Sequence, residues 1–339
     1  MADYLWRRSR VREMKAWAKV PAERGKEMHR ETGGKEYHFI VNPAARSGLG
    51  GMIWKHLEPE LKKRRMSYHC YFTKQRRHAV KIAENITADG EEYTLVVLGG
   101  DGTLNEVING IRDLEKVTLG YIPIGSSNDF ARGLNLPADP GQALDNILHP
   151  GRILHLDIGV LTRREKSRRF IVSAGAGFDA AVCHEVCVSR WKVFLNRIGL
   201  GKLSYAAVAL DRLKKDRPVR LEMTFPGGAK KVFEHTYFAA FMNLPYEGGG
   251  FRFCPAASAD DGLLDIIVMY GVSMPKRIFL LLLALFGKHA AFKGAEIHRC
   301  REVSVSMDRP LPLHTDGEPG FLQRDIRVSV MEKRLKIIA

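Results

Sequence analysis

The run Gly99-Gly100-Asp101-Gly102-Thr103-Leu104-Asn105-Glu106 has the residue types needed to hold a phosphate. Glycines let the backbone approach an anion closely. The first N–H groups of a helix have no partner of their own and point at such an anion. Asp101 puts a carboxylate where a phosphate would sit, which makes chemical sense when a cation such as Mg²⁺ comes with it. Thr103 is placed to cap the helix or to donate to a phosphate oxygen. The apolar run Leu95-Val96-Val97-Leu98 precedes the glycines, and a helical pattern from Leu104 to Ile111 follows. That is the strand, turn and helix context a phosphate loop requires, although Gly99 to Gly102 alone is also ordinary turn chemistry. No Lys-Ser/Thr pair follows the glycines, and the Gly-x-Gly-x-x-Gly spacing is missing. Walker loops and dinucleotide fingerprints are therefore excluded.

A single loop binds little unless other elements bring partners to it. From Tyr37 onward, strand-like and helical runs alternate. Tyr37 to Val41, Ser67 to Thr73, Thr94 to Leu98 and Thr118 to Ile122 read as strands. Helices are expected from the loop Asn42–Gly51 to about Arg65, over His78 to Thr87 and over 103 to 113. This alternation predicts a parallel sheet with helices on both faces, which binds ligands at the carboxyl ends of its strands. The loops Asn42–Gly51, Thr73–Arg77, Gly99–Thr103 and Gly125–Asp129 would then share one rim.

After about residue 150 the pattern changes to short strand-like runs: Leu154–Val160, Phe170–Ser173, Arg220–Thr224, Thr236–Met242, Leu264–Met269 and Glu302–Met307. These predict antiparallel strands in a sandwich or small barrel. A helical insert is expected over about Ala180 to Leu213, and Arg163 to Arg169 reads as a charged hairpin tip or linker. A length of 339 residues suits two domains, and 45% apolar residues suffice for two packed cores.

The formal charge of +15 admits nucleic acid, anionic membrane or phosphorylated small molecules as partners. Zinc-finger spacing and an aromatic-rich RNA signature are both missing, and no nucleic-acid partner is expected. Residues 1–35 read as a basic extension in which Trp6, Met14 and Trp17 fall near one helical face. That describes either a helix lying on an anionic membrane or a tail. The five cysteines are scattered and no secretory signal precedes them, which predicts a reduced, cytoplasmic protein. Cys183 and Cys187 read as small buried residues rather than metal ligands. The run Ile278–Phe286 is too short to cross a bilayer. It reads as a buried or half-buried helix, with a greasy ligand site or membrane contact as the other reading.

Gly99 to Gly110 resembles the signature of the diacylglycerol kinase catalytic domain, found in bacterial lipid kinases and in sphingosine and ceramide kinases. Three more segments resemble that family in the same order: Asn42-Pro43 with Ser47-Gly48, then Gly125 to Arg132, then Asp316-Gly317-Glu318. The similarity runs from about residue 36 to the end. It implies an α/β nucleotide-binding domain with a parallel sheet over 36–160 and a β-sandwich lipid-binding domain over 161–324, with ATP and lipid meeting between them. It also implies that C-terminal strands over 325–339 return to the first domain.

The resemblance implies that Asn42, Ser47, Gly48, Thr73 and Ser126 touch the nucleotide. Gly99, Gly100, Asp101, Gly102, Thr103, Leu104, Asn105 and Glu106 would cradle its phosphates. Ser126 stands where the family usually has Thr, keeping the hydroxyl and losing the methyl. Glu318 would be the general base, with Asp316 supporting it or sharing metal and Asp101 positioning metal and phosphate. Such a carboxylate base suits phosphoryl transfer, where positioning and charge neutralisation dominate. A second Mg²⁺ would lie on Ser258, Asp261 and the Leu263 carbonyl. The implied protein is a Mg²⁺- and ATP-dependent lipid kinase acting on diacylglycerol or a related lipid. It would be cytoplasmic, peripherally associated with the anionic inner face of the membrane, and a homodimer. A NAD kinase-like enzyme and a non-catalytic lipid or nucleotide sensor are the alternatives.

Overall fold

The structure, a computed structural model, describes residues 35–178, 180, 217–320 and 322–339. The extension with Trp6, Met14 and Trp17, the Cys183/Cys187 pair and the expected helical insert beyond Ala180 lie outside those residues. The chain divides into two compact units.

One unit comprises the described residues up to Leu156 together with Lys333–Ala339. Its strands are β1 (Tyr37–Val41), β2 (Tyr68–Phe72), β3 (Tyr93–Gly99), β4 (Val117–Pro123), β5 (Ile153–Leu156) and the final strand, Leu335–Ile338. Their order is β2-β1-β3-β4-final-β5, parallel except for β5. Leu95 to Leu98 are fully buried at every position rather than at alternate ones. A strand covered by helices on both faces requires that. The helices are α1 (Ala45–Lys63), α2 (His78–Ile86), α3 (Asp101–Gly110), α4 (Asp129–Gly133) and α5 (Pro140–Leu148). Trp54, Leu57 and Leu61 of α1 and Ala143, Leu144 and Ile147 of α5 pack with Phe39, Val41, Val96 and Leu98. The chain leaves β1 for β2 on one side, then crosses to β3 on the other. This opens a crevice at the carboxyl ends of β1 and β3, where doubly wound sheets bind ligands.

The other unit is Asp157–Glu332. It is β-sandwich-like, built, among the described residues, on eleven antiparallel strands. They are β6 (Gly159–Arg163), β7 (Lys166–Phe170), β8 (Ser173–Gly177), β9 (Val219–Thr224), β10 (Lys230–Met242) and β11 (Leu264–Tyr270), then, after helix α6 (Met274–Ala284), β12 (Ala295–Cys300), β13 (Glu302–Leu311), β14 (Leu313–Thr315), β15 (Glu318–Pro319) and β16 (Gln323–Val330). The long β10 pairs with β8, β9 and β11. Its alternate residues feed two cores. Phe241 joins Leu221, Met223, Val303 and Ile326. Ala240 and Met242 join Phe253, Ile267 and Leu280.

Two of the expectations change. The run Phe170–Ser173 is not one strand: Phe170 ends β7, Ser173 starts β8, and Ile171-Val172 break them apart, because the N–H groups of Ile171, Val172 and Ser173 turn to the Asp316 carboxylate. The charged segment Arg163–Arg169 is the hairpin tip expected of it, with its turn at Arg164-Glu165 between β6 and β7. The C-terminal return begins at Lys333 rather than 325, since Ile326, Val328 and Val330 fill the second unit's core and β16 pairs there with β13 and β6. Helix α6 buries Leu280 and Ala284 but leaves Phe279 and Leu282 exposed, with Phe286 just beyond its end 71% exposed, so the apolar run is only half covered.

Candidate active site

In the first unit the β1 and β3 loops are joined side chain to side chain. Asn42 Nδ2 donates to Thr103 Oγ1 at 2.9 Å, and the Asn42 N–H donates to Leu98 O at 2.9 Å. Thr103 therefore serves Asn42 rather than capping α3 through its hydroxyl. Arg46, Ser47 and Gly48 all have positive φ, so the start of α1 is a left-handed turn rather than helix. Non-glycine residues are held there at a cost, a feature that collects at ligand sites. A Cβ on Gly50 would lie 2.1 Å from Asn42 O, so only glycine lets α1 start this close to β1. Ser47 is exposed, and the Thr73 N–H is tied to Val41 O at 2.9 Å.

The Gly99 to Glu106 run divides by role. Gly100 is extended and forms the N-cap of α3, and the N–H groups of Thr103 and Leu104 return to its carbonyl at 2.9 and 3.1 Å. Leu104 and Asn105 are fully buried, so their side chains belong to the core. The Glu106 carboxylate accepts the N–H groups of Arg77 at 2.7 Å and Ala79 at 3.2 Å. It thus caps α2 and positions the Thr73–Arg77 loop instead of facing a phosphate.

Asp101 draws the fourth loop in. Its carboxylate accepts the N–H of Asp129 at 3.1 Å and of Phe130 at 3.4 Å. A Cβ on Gly125 would lie 2.7 Å from the Gly100 Cα, so the two glycine turns touch backbone to backbone. Ser126 stays exposed beside this contact. Asp129 is buried and paired with Arg132 at 3.2 Å. Beneath the loop, burial, then the Asp101 charge, drives the Tyr121 phenol well above its usual pKa. Asn42, Gly100, Asp101, Gly102 and Gly125 thus converge at the β1/β3 crevice. Composition gave no signal for Tyr121.

In the second unit Asp316 and Gly317 link β14 to β15, whose residues Thr315 and Glu318 pair. Both linking residues have positive φ, 49° and 74°, as a two-residue type I′ turn demands. The Asp316 carboxylate is buried and accepts three backbone N–H groups: Ile171 at 3.0 Å, Val172 at 2.8 Å and Ser173 at 3.0 Å. Asp316 is therefore an anchor for the turn, and its expected sharing of a metal does not fit this saturated, buried group. Glu318, half-buried, is the carboxylate the turn presents.

The expected outlying cation site does not fit either. The exposed Asp261 is ion-paired with Arg299 and accepts the Leu263 N–H at 2.9 Å, while Ser258 donates to Asp260. Arg299 also reaches Asp265 at 3.3 Å. The guanidinium thus supplies the positive charge a cation would bring. Among the described residues no three or more His, Cys, Asp or Glu side chains gather as a metal site.

Residues 36–161 match the diacylglycerol kinase catalytic domain, and residues 172–339 match the YegS C-terminal NAD kinase beta sandwich-like domain. A diacylglycerol kinase of Bacillus subtilis is 30% identical over 296 residues, covering 84% of this chain and 90% of that protein. One from Staphylococcus carnosus is 30% identical over 293 residues, covering 84% and 89%. The crystal structure of a diacylglycerol kinase from Bacillus anthracis shares the fold, with a TM-score of 0.66 at 20% identity over 91% of this chain and 98% of that one. An NAD kinase from Archaeoglobus fulgidus in complex with ATP is a more distant fold relative, with a TM-score of 0.50 at 11% identity over 89% and 93%. The chain therefore belongs to the diacylglycerol kinase catalytic-domain family.

Proposed function

We propose that this protein is a lipid kinase that moves the γ-phosphoryl group of ATP·Mg²⁺ to a lipid hydroxyl, diacylglycerol being the acceptor favoured by its relatives' names. The observation that carries the reading is the clasp of Asp101 on the Asp129 and Phe130 N–H groups, which locks two glycine turns together at the β1/β3 crevice. The acceptor hydroxyl oxygen forms a bond to the γ-phosphorus, the bond to the ADP oxygen breaks, and Glu318 takes the hydroxyl proton. The Mg²⁺ that ATP carries neutralises charge on the phosphates. Gly100 and Gly102 hold the phosphates by backbone approach, Asp101 fixes that loop against α4, and Asn42 with the Ser47-Gly48 turn borders the nucleotide.

In this reading the protein works at the anionic inner face of a membrane, where such an acceptor resides. Supporting it, Phe279, Leu282, Leu285, Phe286 and Phe292 are exposed in one stretch edged by Lys276, Lys288 and Lys293. Phe279 and Phe292 meet edge to face at 5.4 Å. Exposed apolar groups ringed by lysines match an anionic bilayer. No helix among the described residues is long and apolar enough to cross one.

The test is ³²P transfer from ATP·Mg²⁺ to diacylglycerol, phosphatidylglycerol, ceramide, sphingosine and undecaprenol in mixed micelles, with NAD alongside. Labelled phosphatidate is the expected product. Labelling of NAD alone, or of nothing while ATP still binds, overturns the reading.

A further inference from the structure

Behind the Asp316-Gly317 turn lies a second buried pair that the phosphoryl-transfer reading does not use. The His314 side chain has no exposed surface, and its Nε2 lies 3.0 Å from Glu247 Oε1, on a side chain only 9% exposed. The other ring nitrogen, Nδ1, lies 3.3 Å from the Gly317 N. A backbone N–H can only donate, so Nδ1 must accept. The ring proton then sits on Nε2 and points at Glu247. One hydrogen-bond chain therefore runs from the Glu247 carboxylate through the imidazole to Gly317, the residue before Glu318.

The chain has its own supports. Glu247 sits on a small bridge with Phe251, its N–H donating to Phe251 O at 2.9 Å and its carbonyl accepting the Phe251 N–H at 3.0 Å. His314 is held opposite Gly175 in the β14–β8 pairing. Both ends are fixed by backbone pairing, and a buried carboxylate paired through a neutral imidazole is costly to leave unmade. An Asp-Gly turn needs no histidine to form, because its chemistry is local. What the chain adds is a fixed direction for Gly317 and hence for the next side chain.

We infer that His314 is a positioning residue that aims Glu318 by holding Gly317 on its Nδ1, and that Glu247 selects the ring tautomer in which Nδ1 is the acceptor. The inference rests on Glu318 being the base, and its test separates the two. His314→Asn keeps an acceptor where Nδ1 stands but no longer reaches Glu247. His314→Gln keeps a donor toward Glu247 but loses the acceptor, and His314→Leu loses both. Imidazole ¹⁵N NMR of the whole protein should show the Nε2–H form at pH 7. Exchange of the Gly317 amide should speed up at least tenfold in His314→Leu and His314→Gln, and less than threefold in His314→Asn. With diacylglycerol as acceptor, kcat should fall at least tenfold in the first two, with KM for ATP within twofold of wild type. An Nδ1–H ring, or equal Gly317 exchange in all three variants, overturns the inference whatever the enzyme's substrate. Full turnover in Glu318→Gln instead overturns the assigned base, while the NMR and exchange results still decide whether the chain holds Gly317.

Discussion

The Asp101 carboxylate accepts the Asp129 N–H at 3.1 Å, so the loop after β3 and the loop after β4 are joined by a charge rather than by packing alone. The contact holds the N-terminus of α4 against the first turn of α3. Charge-assisted bonds of this kind are roughly twice as strong as neutral ones. Asp101→Asn keeps the shape and loses the charge. The expected outcome is a fall in kcat/KM for ATP·Mg²⁺ of about hundredfold, the usual consequence of a catalytic loop shifted by about 1 Å. Steady-state kinetics with near-native circular dichroism would check it; wild-type kinetics would remove Asp101 from the machinery.

Glu318 and Asp316 should separate cleanly. Glu318→Gln leaves the turn intact and should lower turnover by about 10²–10⁴, the range for loss of a general base, with ATP binding retained. Asp316→Ala strands three buried backbone N–H groups. It should cost about 2–4 kcal/mol in the stability of the second unit. Calorimetry of the melt of the second variant and ATP binding by the first distinguish an anchor from a base.

His38 makes the first unit sensitive to acid. Burial, with His69 nearby, lowers its pKa to about 4, against an ordinary value of 6.5. The unfolded chain therefore binds the proton first as pH falls. Stability contributed by the neutral ring is complete above about pH 6.5 and is lost progressively down to about pH 4, in total about 3 kcal/mol. Denaturant midpoints at pH 7 and pH 5 should differ less in His38→Gln than in wild type. Equal differences would show that His38 contributes no such slope.

The exposed stretch from Phe279 to Phe292 should govern membrane binding. Leu282→Glu with Phe286→Glu removes two exposed apolar side chains and adds charge of the wrong sign. Co-sedimentation with phosphatidylglycerol vesicles should fall at least about tenfold, since burying one such side chain is worth about 1.5–3 kcal/mol. ATP affinity should not change. Equal binding by the double variant would place the membrane contact elsewhere.

Much of the molecule is legible in the amino-acid sequence because it is written in local chemistry. Apolar strands alternating with helical runs dictate the parallel unit, and Gly99 to Thr103 and Gly125 to Asp129 mark its rim loops. The Asp-Gly turn preceding Glu318 is likewise local, since both central residues need positive φ. Three-dimensional pairing decided the rest. Glu106 looks like a phosphate ligand in sequence but caps α2, from 27 to 29 residues away. Asp316 looks like a support for the base or a sharer of metal but spends its carboxylate on N–H groups 143 to 145 residues distant. Asp261 looks like a metal ligand but faces Arg299, 38 residues on. Residue types and spacing state which groups can do chemistry. Only the folded chain states which of them already have partners, because a carboxylate's partners are chosen by tertiary distance and burial.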